Sequence, residues 1–267
     1  MVFIGGLLLL LPSLVGGAFW IFGLQDKLEK HTHQLLAFAL GVYAIVAYSM
    51  AEEMYHHGEP VMMTLVAIGI FGALEVSKRF FQKHHHHHSE TDHDHSRSDA
   101  DSILAADGVH NVTDGLVIVP AFALGPVVGF ATTASIFFHE LILESAKYII
   151  LREAGYTQRQ ALLRSFLAAS TVFIGIFLAL FLASTEAFAP FFFAVATGAV
   201  LHVVIRDLFP DVFLHEHNTA ALLKSIVVAS IGALVLLTVQ WALPHGHDED
   251  AHEDERVQMN IETHEAH

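Results

Sequence analysis

Long apolar blocks separated by short polar turns dominate the chain. Blocks of about 20 apolar residues match the roughly 30 Å hydrocarbon core of a bilayer, in which only a helix satisfies its own backbone groups. Sharp breaks fall at Gly58–Pro60, at Gly125–Pro126 and over 152–160. The pattern therefore predicts an all-α integral membrane protein with eight transmembrane helices. The predicted spans are roughly 1–23, 33–56, 60–82, 101–123, 126–151, 160–184, 187–209 and 219–243.

Two polar segments flank or interrupt these spans. We predict an eight-helix transmembrane domain over 1–243, with a His-rich loop at 83–99 inside it, followed by a His- and acid-rich tail at 244–267. The loop carries a run of five histidines, His84–His88, and is either a flexible linker or a low-affinity metal-collecting segment. The tail is either a solvated acidic terminus or a weak metal-capturing segment.

The distribution of Lys and Arg predicts the orientation of the chain. If the N-terminus is outside, 11 of the 13 basic residues lie in or beside cytoplasmic loops, and the outside connections contain none. Basic residues concentrate on the cytoplasmic side of membrane proteins. The pattern predicts a multi-pass cell-membrane protein with both termini extracytoplasmic and the His-rich loop in the cytoplasm.

Composition narrows the chemistry further. Charged residues make up 15% of the chain, less than the roughly 25% usual in soluble domains. There is no cysteine, which excludes disulfides and thiolate metal sites. Twenty-one histidines indicate metal handling, so His, carboxylate and amide groups are the expected ligands.

Ionisable residues occur in the middle of the fourth and fifth predicted spans. Such residues cost about 2.5–3.5 kcal/mol each to insert, so they normally face the bundle interior and indicate function. Residues four apart share a helix face, which pairs His110 with Asp114. Glu140 and Glu144 are paired in the same way, with His139 beside them. Imidazole and carboxylate ligands suit Zn²⁺, and also Fe²⁺, Mn²⁺ or Cd²⁺; the alternative is a set of polar pairs that lock helix packing.

The segment 110–115, HNVTDG, resembles the HNxxDG signature of the Zrt/Irt-like (ZIP) metal transporters. The segment 139–144, HELILE, resembles the family's HExPHE signature in a degraded form, and the similarity continues through 151–162 and 198–211. The resemblance implies an inverted-repeat bundle, a homodimer, metal movement toward the cytosol and an elevator-like mechanism. It also implies a transport site on spans four and five. Its metal ligands would be His110, Asn111, Asp114, His139, Glu140 and Glu144.

Three positions depart from the family pattern. Leu143 replaces a metal-bridging His or Glu, Lys147 replaces an Asp, and Val172 falls near a Glu of the two-metal members. We therefore hypothesise one metal per chain, bound by His110, Asp114, His139 and Glu140. For Lys147 we favour snorkelling to the cytoplasmic interface. The alternatives are pairing with Glu144 or Asp211, or replacing a second cation electrostatically.

These observations predict a secondary transporter that brings divalent transition metals, above all zinc, into the cytoplasm. No ATP-binding motif accompanies the spans, and we expect neither an enzymatic cofactor nor a nucleic-acid partner. One alternative is a metal exporter or a non-transporting metal sensor of the same fold. A remote alternative is an intramembrane metalloprotease, because His139-Glu140 begins an HExxH motif. Its second histidine would fall on Leu143.

Overall fold

A computed structural model describes residues 1–23, 25–56, 58–82, 97–185, 187–214 and 218–242. Regular structure in these residues is entirely helical. The His-rich run at 84–88 and the predicted tail at 244–267 lie outside the described residues. The α-helices are α1 (Val2–Leu8), α2 (Leu11–Ile21), α3 (Gln25–His56), α4 (Pro60–Gln82), α5 (Arg97–Ala123), α6 (Pro126–Glu153), α7 (Gln158–Ala169), α8 (Val172–Ser184), α9 (Phe192–Val203) and α10 (Thr219–Ala242).

Seven helical spans in the described part of the chain are long and apolar enough to cross a bilayer. They run over Val2–Ile21, His31–His56, Pro60–Phe80, Pro126–Glu153, Gln158–Ser184, Ala189–Leu214 and Thr219–Ala242. Helix α5 has the required length, 27 residues, but it contains four aspartates and an arginine. With α5 as the fourth span, every predicted span is helical. The all-α membrane fold is thus confirmed.

Some predicted boundaries need correction. Helix α5 begins at Arg97, so the last residues of the predicted loop are helical. The first and sixth spans are each built from two helices, and the sixth is interrupted at Ser170–Thr171. There the Thr171 hydroxyl donates to the Gly108 carbonyl on α5, 2.6 Å away. The seventh span continues past its predicted end through π-helical turns at Val204–Leu208 and Pro210–Leu214. Such wide turns often occur at functional sites.

The helices pack as two groups. In the α3 group (α3, α4, α9 and α10), α3 packs on α10 and α4 on α9. In the α5 group (α1, α2 and α5–α8), α5 packs on α8 and α2 on α6. Counted as spans, these contacts join span 2 to 8, 3 to 7, 4 to 6 and 1 to 5. When spans 1–3 are exchanged with spans 6–8, and span 4 with span 5, the same set of contacts is obtained. This is the relation expected of an inverted repeat.

Glycines set the close approach of helices within each group. A Cβ added at Gly115 of α5 would lie 2.1 Å from the Val172 carbonyl oxygen on α8. A Cβ at Gly41 of α3 would lie 1.9 Å from the Ala229 carbonyl oxygen on α10. Small residues allow this close packing of transmembrane helices. Helices α5 and α6 pack on α3 and α9, and this contact joins the two groups.

Candidate metal site

Helix α5 presents a polar face to the bundle interior. Asp107, His110, Asn111 and Asp114 follow an i, i+3, i+4, i+7 spacing, which aligns them on one side of a helix. Asn111 and Asp114 are fully buried. The Asn111 side-chain amide donates to the Asp107 carbonyl oxygen at 2.9 Å, so its nitrogen is bonded within its own helix. The face therefore carries two carboxylates, an imidazole and an amide.

Helix α6 contributes four buried ionisable residues. His139, Glu140 and Glu144 are each 1% exposed, and Lys147 is 4% exposed. Their charges and polar atoms must find partners inside the protein, because burial of an unpaired charge is costly. The two helices pack directly against each other, so the polar faces of α5 and α6 meet.

The imidazoles of the two helices converge with one carboxylate. The Nε2 atom of His110 lies 3.1 Å from Oε1 of Glu140, and the ring centroids of His110 and His139 are 5.5 Å apart. One ligand atom from each of these three residues lies within 4.8 Å of the others. Ligand atoms around a tetrahedral zinc ion are about 3.3 Å apart, so small side-chain rotations bring this group to coordination distance.

Several polar atoms beside this group make no hydrogen bond within the described residues. These unbonded atoms include both ring nitrogens of His139 and both carboxylate oxygens of Asp114. Asp114 lies further from the centre of the group, with Oδ2 3.9 Å from Nε2 of His110. Buried polar atoms without partners are rare, and each one is a candidate ligand atom.

A second group of ligand atoms adjoins the first. Oxygens of Asp107, Glu140 and Glu144 lie within 4.8 Å of one another, so Glu140 belongs to both groups. The Lys147 ammonium forms ion pairs with Asp107 and Glu144, the latter at 2.7 Å. The predicted snorkelling of Lys147 is therefore wrong, whereas its pairing with Glu144 is confirmed. Asp107 is an additional site residue that was not predicted from the sequence, although its position three residues before His110 places it on the same helix face.

A cavity of about 440 Å³ reaches His110 and His139 from one end of the bundle. Its lining includes Lys78 near the end of α4 and Lys147 near the end of α6, together with Asp207 in the first π-helical turn. These elements end on the side of the bundle where α6 is followed by α7. The Asp207 carboxylate lies 3.9 Å from Nδ1 of His110 and also pairs with Lys78.

Leu143 and Val172, two of the three positions that depart from the family pattern, lie in different surroundings. Leu143 lines the cavity, and Val172 is fully buried in the apolar core. His202 lines the same cavity, with its Nε2 3.7 Å from Glu75. His202 is absent from both groups of converging ligand atoms in the described residues.

The fold and the site define a multi-pass α-helical membrane protein that encloses ionisable groups between its spans, an arrangement typical of ion-translocating proteins. The sequence model of the ZIP zinc transporters matches residues 75–240, well over half of the chain. The chain belongs to the ZIP zinc transporter family.

Individual relatives agree with this assignment. The chain is 40% identical over 108 residues to human zinc transporter ZIP4, covering 40% of this chain and 17% of the relative. It is 30% identical over 139 residues to the zinc transporter foi of Drosophila melanogaster, covering 51% and 20%. It is 31% identical over 144 residues to the metal cation symporter ZIP14 of Pongo abelii, covering 53% and 29%. The matched segment thus spans less than a third of each of these relatives.

Proposed function

We propose that this protein is a secondary transporter that moves divalent transition-metal ions, above all zinc, into the cytoplasm. The observation that carries the proposal is the convergence of His110, His139 and Glu140 inside a transmembrane bundle. Family membership supports transport over the alternative of peptide hydrolysis, and the names of the matched relatives support zinc as the ion.

The ligand chemistry supports a transition metal over Ca²⁺ or Mg²⁺. Neutral imidazoles suit Zn²⁺, Fe²⁺, Mn²⁺ and Cd²⁺, whereas Ca²⁺ and Mg²⁺ favour shells made of oxygen alone. Asp114 supplies a fourth ligand if its carboxylate moves toward His110, from which it is 3.9 Å away. Glu144 is already paired with Lys147. We therefore assign the transported ion to His110, His139, Glu140 and Asp114, with Asn111 as an additional oxygen donor.

The family supports an inward direction of transport, and the cavity indicates the side of the bundle to which the site opens. The cavity opens at the end of the bundle that carries the basic residues Lys78, Arg79, Arg97, Arg152, Arg159, Arg164, Arg206 and Lys224. The positive-inside rule supports a cytoplasmic location for this end and an outside location for both termini. Fully buried apolar residues lie on the opposite side of the site, including Val117, Ile118 and Ile136. With this orientation, we interpret the structure as an inward-facing state.

Alternating access requires the site to change the side to which it opens. We propose that the α5 group moves as a unit against the α3 group, because both converging helices belong to the α5 group. The 3.9 Å approach of His110 to Asp207 crosses between the groups, so this movement would break it. Asp207 and the adjacent cavity then provide the exit route. The homodimer implied by the family resemblance stays a prediction.

Uptake of radioactive zinc by cells expressing the protein tests the proposal. We expect His110→Ala and Asp114→Ala to abolish uptake while surface expression is unchanged, because each removes a ligand. His31→Ala, an exposed histidine on α3, is the matched control and should transport normally. Normal uptake by both site variants would overturn the assignment. Cellular zinc that falls on expression would indicate an exporter, and unchanged zinc would indicate a sensor.

A further inference from the structure

The second group of carboxylates holds a cation that belongs to the protein. Asp107, Glu140 and Glu144 bring three oxygens within 4.8 Å of one another. The ammonium of Lys147 contacts two of these residues, Asp107 from α5 and Glu144 from α6. The ion pairs therefore bridge the two helices that build the proposed transport site.

The charges of this region explain why a cation is needed there. Four carboxylates lie on the facing sides of α5 and α6: Asp114, Glu140 and Glu144 are fully buried, and the side chain of Asp107 is 9% exposed. A divalent ion between His110 and His139 compensates two of these charges, and Lys147 compensates a third. Buried charges persist only when they are paired or coordinate a metal. Without Lys147, the balance would call for a second divalent ion.

We propose that the Lys147 ammonium is a built-in cation that fills a latent second metal site and limits the chain to one transition-metal ion in the membrane. The inference rests on the proposed transport function. Oε2 of Glu144 is buried and makes no hydrogen bond within the described residues, so this group has acceptor capacity beyond its lysine contacts. Carboxylate oxygens are suitable ligands for a divalent ion that replaces the lysine.

The built-in cation also affects the first site. Glu140 belongs to both groups, so the charge of Lys147 lies next to a ligand of the transported ion. A neighbouring positive charge weakens the attraction of Glu140 for a second cation. Transport requires binding that is favourable yet reversible, so a moderated affinity serves release into the cavity.

Metal content of the purified full-length protein tests the proposal. Wild type, Lys147→Ala, Lys147→Arg and Lys224→Ala are dialysed to equilibrium against the same free zinc concentration, and bound zinc is measured by mass spectrometry. The histidines of the loop and tail contribute equally to all four, so the differences between variants report the membrane sites. We expect Lys147→Ala to bind one more zinc ion per chain than wild type. Lys147→Arg retains the charge, and Lys224→Ala removes an exposed lysine on α10 that does not line the cavity, so both should match wild type.

The outcomes separate this proposal from the proposed function. A folded Lys147→Ala variant with the same zinc content as wild type would overturn the proposal and leave the transport site intact. If the site at His110 and His139 fails to bind zinc, wild type lacks that ion, yet the gain in the alanine variant still supports the role of Lys147. A Lys147→Ala variant that folds only with zinc supports the proposal as well. One that stays unfolded in excess zinc contradicts it, because the divalent ion should replace the lost charge.

Discussion

Replacing His139 by leucine should stabilise the metal-free protein while removing its response to zinc. The His139 ring is 1% exposed, and neither nitrogen makes a hydrogen bond within the described residues. A buried metal ligand without a hydrogen-bond partner lowers the stability of the folded protein when the metal is absent. Leucine has a similar volume and no polar atoms, so it should fill the position without that loss of stability.

The expected size follows from the two ring nitrogens. Each buried polar group without a partner costs about 1–3 kcal/mol. Imperfect packing of leucine offsets part of the gain, since shape changes in a core cost up to about 1.5 kcal/mol. Two such nitrogens cost about 2–6 kcal/mol, so we expect a net stabilisation of roughly 0.5–6 kcal/mol. For a domain of this size, each kcal/mol shifts the unfolding midpoint by roughly 2–4 °C. In wild type, zinc at 100 times its dissociation constant should add about 2.7 kcal/mol.

Thermal unfolding in detergent, followed by circular dichroism with and without zinc, measures both effects. His33→Leu is the control with the opposite expected sign. His33 forms a 2.7 Å hydrogen bond with Ser225 that links α3 to α10, so its loss should lower the midpoint and leave the zinc response intact. A His139→Leu protein that is less stable than wild type without metal, or that is still stabilised by zinc, would refute the reasoning.

Two further predictions concern packing and access. Gly175→Val should prevent accumulation of folded protein, because even a Cβ would lie 2.0 Å from the Val112 carbonyl oxygen. The control Gly72→Val should be tolerated, because Gly72 faces open space. Equal yields of the two variants on size-exclusion chromatography would contradict this prediction. The chain has no cysteine, so a single introduced cysteine reports the accessibility of its own position. Ala106→Cys in the cavity should react with a membrane-impermeant thiol reagent only from the cytoplasmic side, and the reaction should be slower when zinc is present. Glu59→Cys should react from outside. The reverse labelling would invert the proposed topology.

Periodicity and residue chemistry predicted the fold and the polar faces. The four-residue spacing of His110 and Asp114 fixes a shared face on any α-helix, so their joint orientation follows from local geometry. The fourth span could be predicted from the sequence for the same reason, since its charged residues repeat with the helical period and an apolar run follows them. The family motifs added the expectation that spans four and five lie together.

Tertiary contacts account for what the sequence analysis missed. The position of Lys147 along its own helix predicts snorkelling to the interface. Its partner Asp107 lies on another helix, and no local pattern reveals that pairing. The π-helical turns that carry Asp207 likewise depend on packing against neighbouring helices, so the predicted end of span seven was too early.

The central claim is that the transported ion binds between α5 and α6. Anomalous diffraction from crystals of the zinc-loaded protein, measured at the zinc absorption edge, tests it most directly. We expect a peak within coordination distance of His110, His139 and Glu140, and no peak between Asp107 and Glu144, where Lys147 lies. Zinc peaks confined to the surface of the bundle, with none between the two imidazole rings, would contradict the account.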